Sequence, residues 1–324
     1  MAFSRFSPEA TPTARIGLGL AAVGRPGYIN LGRDRDLPAD RGPEALRERS
    51  HQLLDAAHAH GVRYLDAARS YGRAEEFLAS WLDARPEAAA DVVVGSKWGY
   101  TYTADWRTDA EVHEVKDHGP ATFDRQYAET SALLGERLDL YQIHSVTPES
   151  PALTDPAVLD RLAGLAASGV TVGLSTSGPG QAEVIRAALE VEVEGRPLFA
   201  TVQSTFNVFE TSAGPALAEA HAAGRTVIVK EAMANGRLAG RAAPPAVRRI
   251  AEAAGTGPDA VALAAVLRQP WAGIVLSGAA TVAQLAGNLA AAGLDLDEAA
   301  AAVLAELAEP PAAYWRQRSG LPWH

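Results

Sequence analysis

The feature that most constrains this chain is an alternation. Eight short apolar or β-branched runs are each followed by a longer segment with helical spacing. The runs cover 16–20, 63–67, 91–97, 138–144, 171–176, 199–203, 226–230 and 273–277. Between them the helical period is plain. AEEFLASWLDAR carries Phe77, Leu78, Trp81 and Leu82 at helical spacing. PAVLDRLAGLAASG opens after Asp155 with Pro156 at its first position and stops at Gly169. Strand–helix repetition of this kind predicts an α/β fold, a (β/α)8 TIM barrel occupying residues 1–324 as one domain. A doubly wound dinucleotide fold needs an early Gly-x-Gly-x-x-Gly joining a strand to a helix. IGLGLAAVG has glycines, but an irregular segment follows instead of a helix. The last segment, about 300–324, carries Tyr314, Trp315 and Trp323 and is expected to pack near the barrel.

Composition removes other classes. At 48% hydrophobic residues the chain can bury a core. No uninterrupted apolar stretch is long enough for a membrane span, and the start lacks the apolar segment of a secretory signal, so a cytoplasmic location is expected. There is no cysteine, hence no disulfide framework, thiolate metal site or cysteine nucleophile. A net charge of −10 disfavours nucleic-acid or anionic-membrane partners. Among 29 basic residues, lysine occurs only at 97, 116 and 230. A chain that otherwise uses arginine invites the question of why a compact ammonium is needed at those places.

Chemistry in a barrel sits at the C-terminal ends of the strands. The second predicted strand ends in YLDAARSYG, with Asp66 and then Tyr71; the third ends in GSKW, with Lys97; the fourth ends in DLYQIHS, with His144. A phenol titrates near ~10, and a nearby ammonium held by a carboxylate stabilises its phenolate. A neutral histidine orients an oxygen or relays a proton. Together these groups donate a proton to an oxygen that is gaining negative charge, as carbonyl reduction by hydride requires.

These segments resemble the aldo-keto reductases, in spacing and strand order, along nearly the full chain. The resemblance implies reduction of an aldehyde or ketone, a small-molecule carbonyl partner, by hydride from a nicotinamide cofactor. Tyr71 is then the proton donor, Lys97 and Asp66 tune it, and His144 places the carbonyl. It also implies a cofactor shell built from Gly19, Leu20 and Asp66, the pair Ser175 and Thr176, and Gln203, with Lys230, Arg237, Ser277, Gly278, Gln284 and Asn288 completing it. The chain departs from the family pattern at several of these. Thr176 stands where an Asn is usual, Lys230 where an aromatic stacks on the nicotinamide, and Gly287 where a Glu is expected. Basic residues for a 2′-phosphate are missing from GAATVAQ, leaving Arg237 and Arg241 as substitutes. The family pattern favours NADP(H), the local residues lean towards NAD(H), and NADP(H) is placed slightly ahead. Lys230 is expected to anchor the cofactor, with its pyrophosphate as the target.

The aromatic excess in WGYTYTADW assigns the substrate wall to Trp98, Tyr100 and Trp106, with Phe206 joining it. HEVKDH lacks the spacing of a zinc helix, and no metal is expected there. Two other readings remain: a barrel that binds cofactor without catalysis, as a sensor or interaction subunit, and an aldolase-like lyase forming a Schiff base on Lys97 or Lys230. The sequence leaves the particular substrate and the oligomeric state open.

Overall fold

A computed structural model of the chain describes residues 3, 6–32, 36–37 and 40–323. Eight parallel strands close into a barrel in sequence order. They are β1 (Ile16–Gly19), β2 (Tyr64–Asp66), β3 (Val93–Trp98), β4 (Leu140–Val146), β5 (Thr171–Thr176), β6 (Thr201–Thr205), β7 (Thr226–Lys230) and β8 (Ile274–Ser277). Each coincides with a predicted run. The sixth lies two residues further along than expected, and the fourth continues past His144 to Val146 across a register irregularity.

The helices form the outer layer: α1 (Pro43–Ala59), α2 (Ala74–Ala84), α3 (Pro120–Leu134), α4 (Pro156–Ala167), α5 (Gln181–Leu189), α6 (Gly214–Ala222), α7 (Pro245–Ala253), α8 (Pro258–Leu267) and α9 (Val282–Leu289), then α10 (Glu298–Ala305) and α11 (Pro311–Ser319). Local chemistry sets their starts. Asp155 and Thr281 accept backbone hydrogen bonds as the caps of α4 and α9. The helix faces bury leucine, valine and alanine against the outside of the strands, whereas Tyr64, Val93, Leu140, Ile228 and Ile274 form a separate apolar cluster with Phe6. No single helix among the described residues is long and apolar enough to cross a membrane.

The C-terminal segment packs onto the barrel up to residue 323; His324 lies outside the described residues. Tyr314 is buried and its hydroxyl accepts from Asn207 Nδ2 at 3.0 Å. Arg318 on α11 grips Glu231, just past β7, with its Nε 2.8 Å from one carboxylate oxygen. Burial alone would raise the pKa of Glu231, but the charges of Arg318 and Lys230 bring it down to about 2. The stability this pair contributes is therefore present above the ordinary carboxyl range and is lost as pH falls towards 2. Arg318→Ala leaves a buried carboxylate without its main partner and should cost about 3–5 kcal/mol at pH 7. The cost should shrink by pH 5, where the uncompensated Glu231 takes up a proton. Urea denaturation at the two pH values measures this, and an equal cost at both would refute the assignment.

Candidate active site

Asp66 ends β2, Lys97 stands one residue before the end of β3, and His144 lies within β4. All three are buried, and they meet at one end of the barrel. Lys97 Nζ lies 2.5 Å from Asp66 Oδ2, 2.8 Å from the Ala67 carbonyl and 3.4 Å from the Tyr71 hydroxyl. The other oxygen of Asp66 accepts from the Gln203 amide at 3.0 Å and from the Tyr64 hydroxyl at 3.2 Å. The rings of Tyr71 and His144 meet edge to face with centroids 5.5 Å apart. The four residues that the strand-end reading named are thus brought together.

Two glycines make this approach possible. Tyr71 lies on the loop between β2 and α2, which packs on the loop following β1. A Cβ on Gly24 would stand 2.3 Å from the Tyr71 carbonyl oxygen, and one on Gly72, at φ +61, would stand 2.5 Å from the Gly24 carbonyl oxygen. His144 is positioned from behind. Its carbonyl receives His118 Nε2 at 2.8 Å, and the next residue, Ser145, has φ 56 at the irregularity in β4. Burial drives the His118 pKa down to about 4, so this prop is neutral.

The electrostatics differ from the sequence expectation in one respect. Burial pushes the Tyr71 phenol well above its ordinary pKa, the Asp66 carboxylate adds to the rise, and Arg25 opposes it. Lys97 spends its charge on Asp66, so the phenol holds its proton firmly instead of losing it easily. Burial likewise pushes His144 far below its usual pKa, reinforced by the charges of Lys97, Lys230 and Arg25. The imidazole is neutral, with Ser70 Oγ 3.4 Å from its Nδ1.

A cleft of about 900 Å³ opens over this group. Gly19, Asp66, Tyr71, Tyr100, His144 and Gln203 line it, as do Lys230, Ser277, Gly278, Gln284 and Asn288. Other expected residues are not on its surface. Leu20 is in the apolar core, and its amide donates to the Asp66 carbonyl. Ser175 uses its hydroxyl to accept from the Ser145 amide at 2.8 Å. Thr176 is bonded to Ser204. Arg237 is ion-paired with Glu309 and lies over the Phe209 ring. Trp98 is buried against Phe123 and His118; Trp106 donates to the Arg41 carbonyl and packs on Phe77; Phe206 packs on Trp271. The substrate wall named from sequence therefore reduces to Tyr100.

The wall instead includes Arg25, Tyr28, Glu114 and Trp323, which the sequence reading did not assign to it. Arg25 Nη1 bonds the Ser70 carbonyl at 2.7 Å and Glu114 at 2.8 Å, and its guanidinium lies over the rings of Tyr28, Tyr71 and Trp323. Glu114 arrives on a hairpin of Tyr100–Tyr102 and Glu114–Lys116. The HEVKDH segment thus supplies a wall residue in Glu114 and a prop in His118.

The cleft has room for a long, polar ligand. Its volume lies in the upper part of the range for cofactor sites, ~300–1,000 Å³. A Cβ on Gly278 would meet nothing within 4 Å, leaving an open cradle just before α9. Asn235, on the wall, has a buried side-chain oxygen with no hydrogen-bond partner. Asn288 is best satisfied with its oxygen accepting from Ser277 Oγ and its nitrogen donating to Asp259 Oδ2 at 3.0 Å. A carboxylate from α8 stands beside Gly287: Asp259 Oδ2 lies 3.0 Å from where a Gly287 Cβ would be.

A parallel barrel with a phenol, an ammonium–carboxylate pair and a neutral imidazole at the mouth of a long cleft is built as an enzyme. The chain belongs to the aldo/keto reductase family, whose sequence profile matches residues 16–309. It is 25% identical to the aldo-keto reductase str7 of Strobilurus tenacellus, with 92% of each chain covered. Solved structures share the fold. The holo form of aldo-keto reductase AKR11C1 from Bacillus halodurans has a TM-score of 0.65 at 18% identity, covering 91% of this chain and 92% of that one. Glycerol dehydrogenase AKR11B4 from Gluconobacter oxydans has a TM-score of 0.68 at 22% identity, covering 90% of each. Membership makes the chain an oxidoreductase of a family that uses nicotinamide cofactors.

Proposed function

We propose that the protein reduces the carbonyl group of a small molecule to an alcohol, with Tyr71 as the proton donor. The observation that carries this reading is Lys97 Nζ, 3.4 Å from the Tyr71 hydroxyl and 2.5 Å from Asp66. A bound reduced nicotinamide supplies the hydride that adds to the carbonyl carbon. Tyr71 delivers a proton to the carbonyl oxygen as that oxygen becomes an alkoxide. The phenol keeps its proton until then, because burial and Asp66 oppose ionisation. The Lys97 ammonium limits the cost of the phenolate left behind. With Ser70 Oγ 3.4 Å from His144 Nδ1, we assign the ring proton to Nε2, where it can orient the substrate oxygen. Arg25, Tyr28, Tyr100, Glu114 and Trp323 give the substrate a polar and aromatic wall.

Gln203, Asn235, Gly278 and Asn288 would hold the cofactor, with the Lys230 ammonium facing the same cleft. NADP(H) is our first reading, with Arg241 on the cleft wall available to its 2′-phosphate now that Arg237 is committed to Glu309. NAD(H) is the second, favoured by the Asp259 carboxylate beside Asn288. Arg241→Ala should weaken NADPH by about tenfold, the scale of one charge-assisted bond, and leave NADH unchanged. Equal effects on both cofactors would favour the second reading. Schiff-base chemistry on Lys97 is disfavoured, because its three donor sites already face Asp66, Ala67 and Tyr71. Single-turnover oxidation of bound NADPH or NADH against a panel of aldehydes and ketones tests the proposal. Tight binding without turnover on any of them would support a non-catalytic sensor instead.

A further inference from the structure

Among the described residues, three cations at the centre of the cleft each have a carboxylate in close contact. Lys97 has Asp66, Arg25 has Glu114, and Arg318 has Glu231. Lys230 shares its carboxylate with Arg318. Its Nζ donates to Thr205 Oγ1 at 3.0 Å, and its nearest carboxylate, Glu231 at 3.8 Å, is already gripped by Arg318. The Lys230 side chain is only 14% exposed, and it lines the cleft. Holding an extra ammonium here is costly, since burial penalises a charge that lacks close compensation.

Its position narrows what it can act on. Lys230 ends β7 and pairs in register with Thr205 on β6. Two residues before Thr205, Gln203 reaches Asp66 at the centre of the catalytic group. The charged and titratable groups around it come from every neighbouring element: Glu231 after β7, Arg318 on α11, Asp66 on β2, Lys97 on β3 and His144 on β4. A hydride donor must lie within bonding approach of a carbonyl carbon whose oxygen rests on Tyr71 and His144. Lys230 lines the same cleft and its charge is felt at His144, so a nicotinamide ring held there would be exposed to the Lys230 ammonium. The reduced ring is neutral and the oxidised ring carries a positive charge.

We propose that Lys230 selects the redox state of the cofactor, penalising the oxidised nicotinamide relative to the reduced one and so biasing the enzyme towards carbonyl reduction. This rests on the functional reading above. It differs from anchoring of the pyrophosphate, which is common to both redox forms and would help them equally. Like charges several ångströms apart at an effective dielectric near ~20 shift an equilibrium by about tenfold or more.

The test is direct binding, without turnover. Dissociation constants for NADPH, NADP⁺, NADH and NAD⁺ are measured by calorimetry on the wild type, Lys230→Met and Lys230→Arg at pH 7 and pH 9. In Lys230→Met at pH 7 the oxidised-to-reduced ratio of dissociation constants should fall about tenfold, through tighter binding of the oxidised form. Lys230→Arg should keep the wild-type ratio. Burial lowers the Lys230 pKa to about 8, so the wild-type ratio should approach that of the methionine variant at pH 9, while Lys230→Arg should not move. The pH arm needs only the wild type and the arginine variant, so a misfolded methionine variant does not block the test. Equal weakening of both redox forms would reassign Lys230 to the pyrophosphate and overturn the proposal, as would unchanged affinities. A wild type that binds no nicotinamide dinucleotide refutes the functional reading itself. Firm binding with an immobile ratio refutes only the role of Lys230.

Discussion

Tyr71→Phe is expected to lower turnover by about 10²–10⁴-fold, the range for loss of a general acid, while the dissociation constant of the cofactor stays within about twofold. The substitution removes one oxygen and keeps the ring. The ring's packing is independent of that oxygen: it meets His144 edge to face, and the Arg25 guanidinium lies 5.3 Å from its centroid. The hydroxyl accepts from the Lys97 ammonium at 3.4 Å, and that ammonium keeps its bonds to Asp66 and the Ala67 carbonyl without it. Stability should therefore change little and catalysis a great deal. Stopped-flow oxidation of NADPH or NADH with the best carbonyl substrate separates the two. A variant retaining most of the wild-type rate would remove Tyr71 from the mechanism and leave His144 as the donor to be tested.

The barrel was legible because a parallel sheet covered on both faces writes its strands as apolar runs. The chemical group was legible because barrel geometry converts the ends of those runs into one location, so Asp66, Lys97 and His144 could be assembled without coordinates. One error was avoidable. Side chains alternate along a strand, so Lys97 facing the centre obliges Trp98 to face the helices. Trp98 accordingly packs on Phe123 of α3. Other errors were not avoidable in this way. Ser175 is diverted by the amide of Ser145, which points at it because of a backbone irregularity in β4 that no local pattern announces. The pairing of Arg25 with Glu114, and of Arg237 with Glu309, joins loops distant in sequence. Asp259 reaches Gly287 from a different helix, and a motif confined to one segment cannot register that approach.

The Lys97–Asp66 pair should respond to mutation in a way that separates its structural from its chemical role. Both side chains are nearly fully buried, and the carboxylate also accepts from Tyr64 and Gln203. Lys97→Met removes the cation and leaves a buried carboxylate with only neutral donors. That should cost about 3–5 kcal/mol of stability, with activity falling by about 10³-fold or more as the phenolate loses its nearest positive charge. Asp66→Asn should be destabilising by a similar amount, since the buried ammonium then has only neutral partners. The double variant Lys97→Met/Asp66→Asn removes both charges at nearly constant volume. Replacing a buried ion pair by neutral groups is often close to neutral, so the double variant should recover most of the stability that either single change loses. Its activity should not recover, because no ammonium remains at the Tyr71 hydroxyl. Urea denaturation and turnover of the four proteins give both halves of the cycle. Strictly additive stability losses would mean that the two charges do not act as a unit. Activity restored in the double variant would mean that the ammonium serves only to neutralise Asp66, and the assignment of Lys97 to phenolate stabilisation would fall.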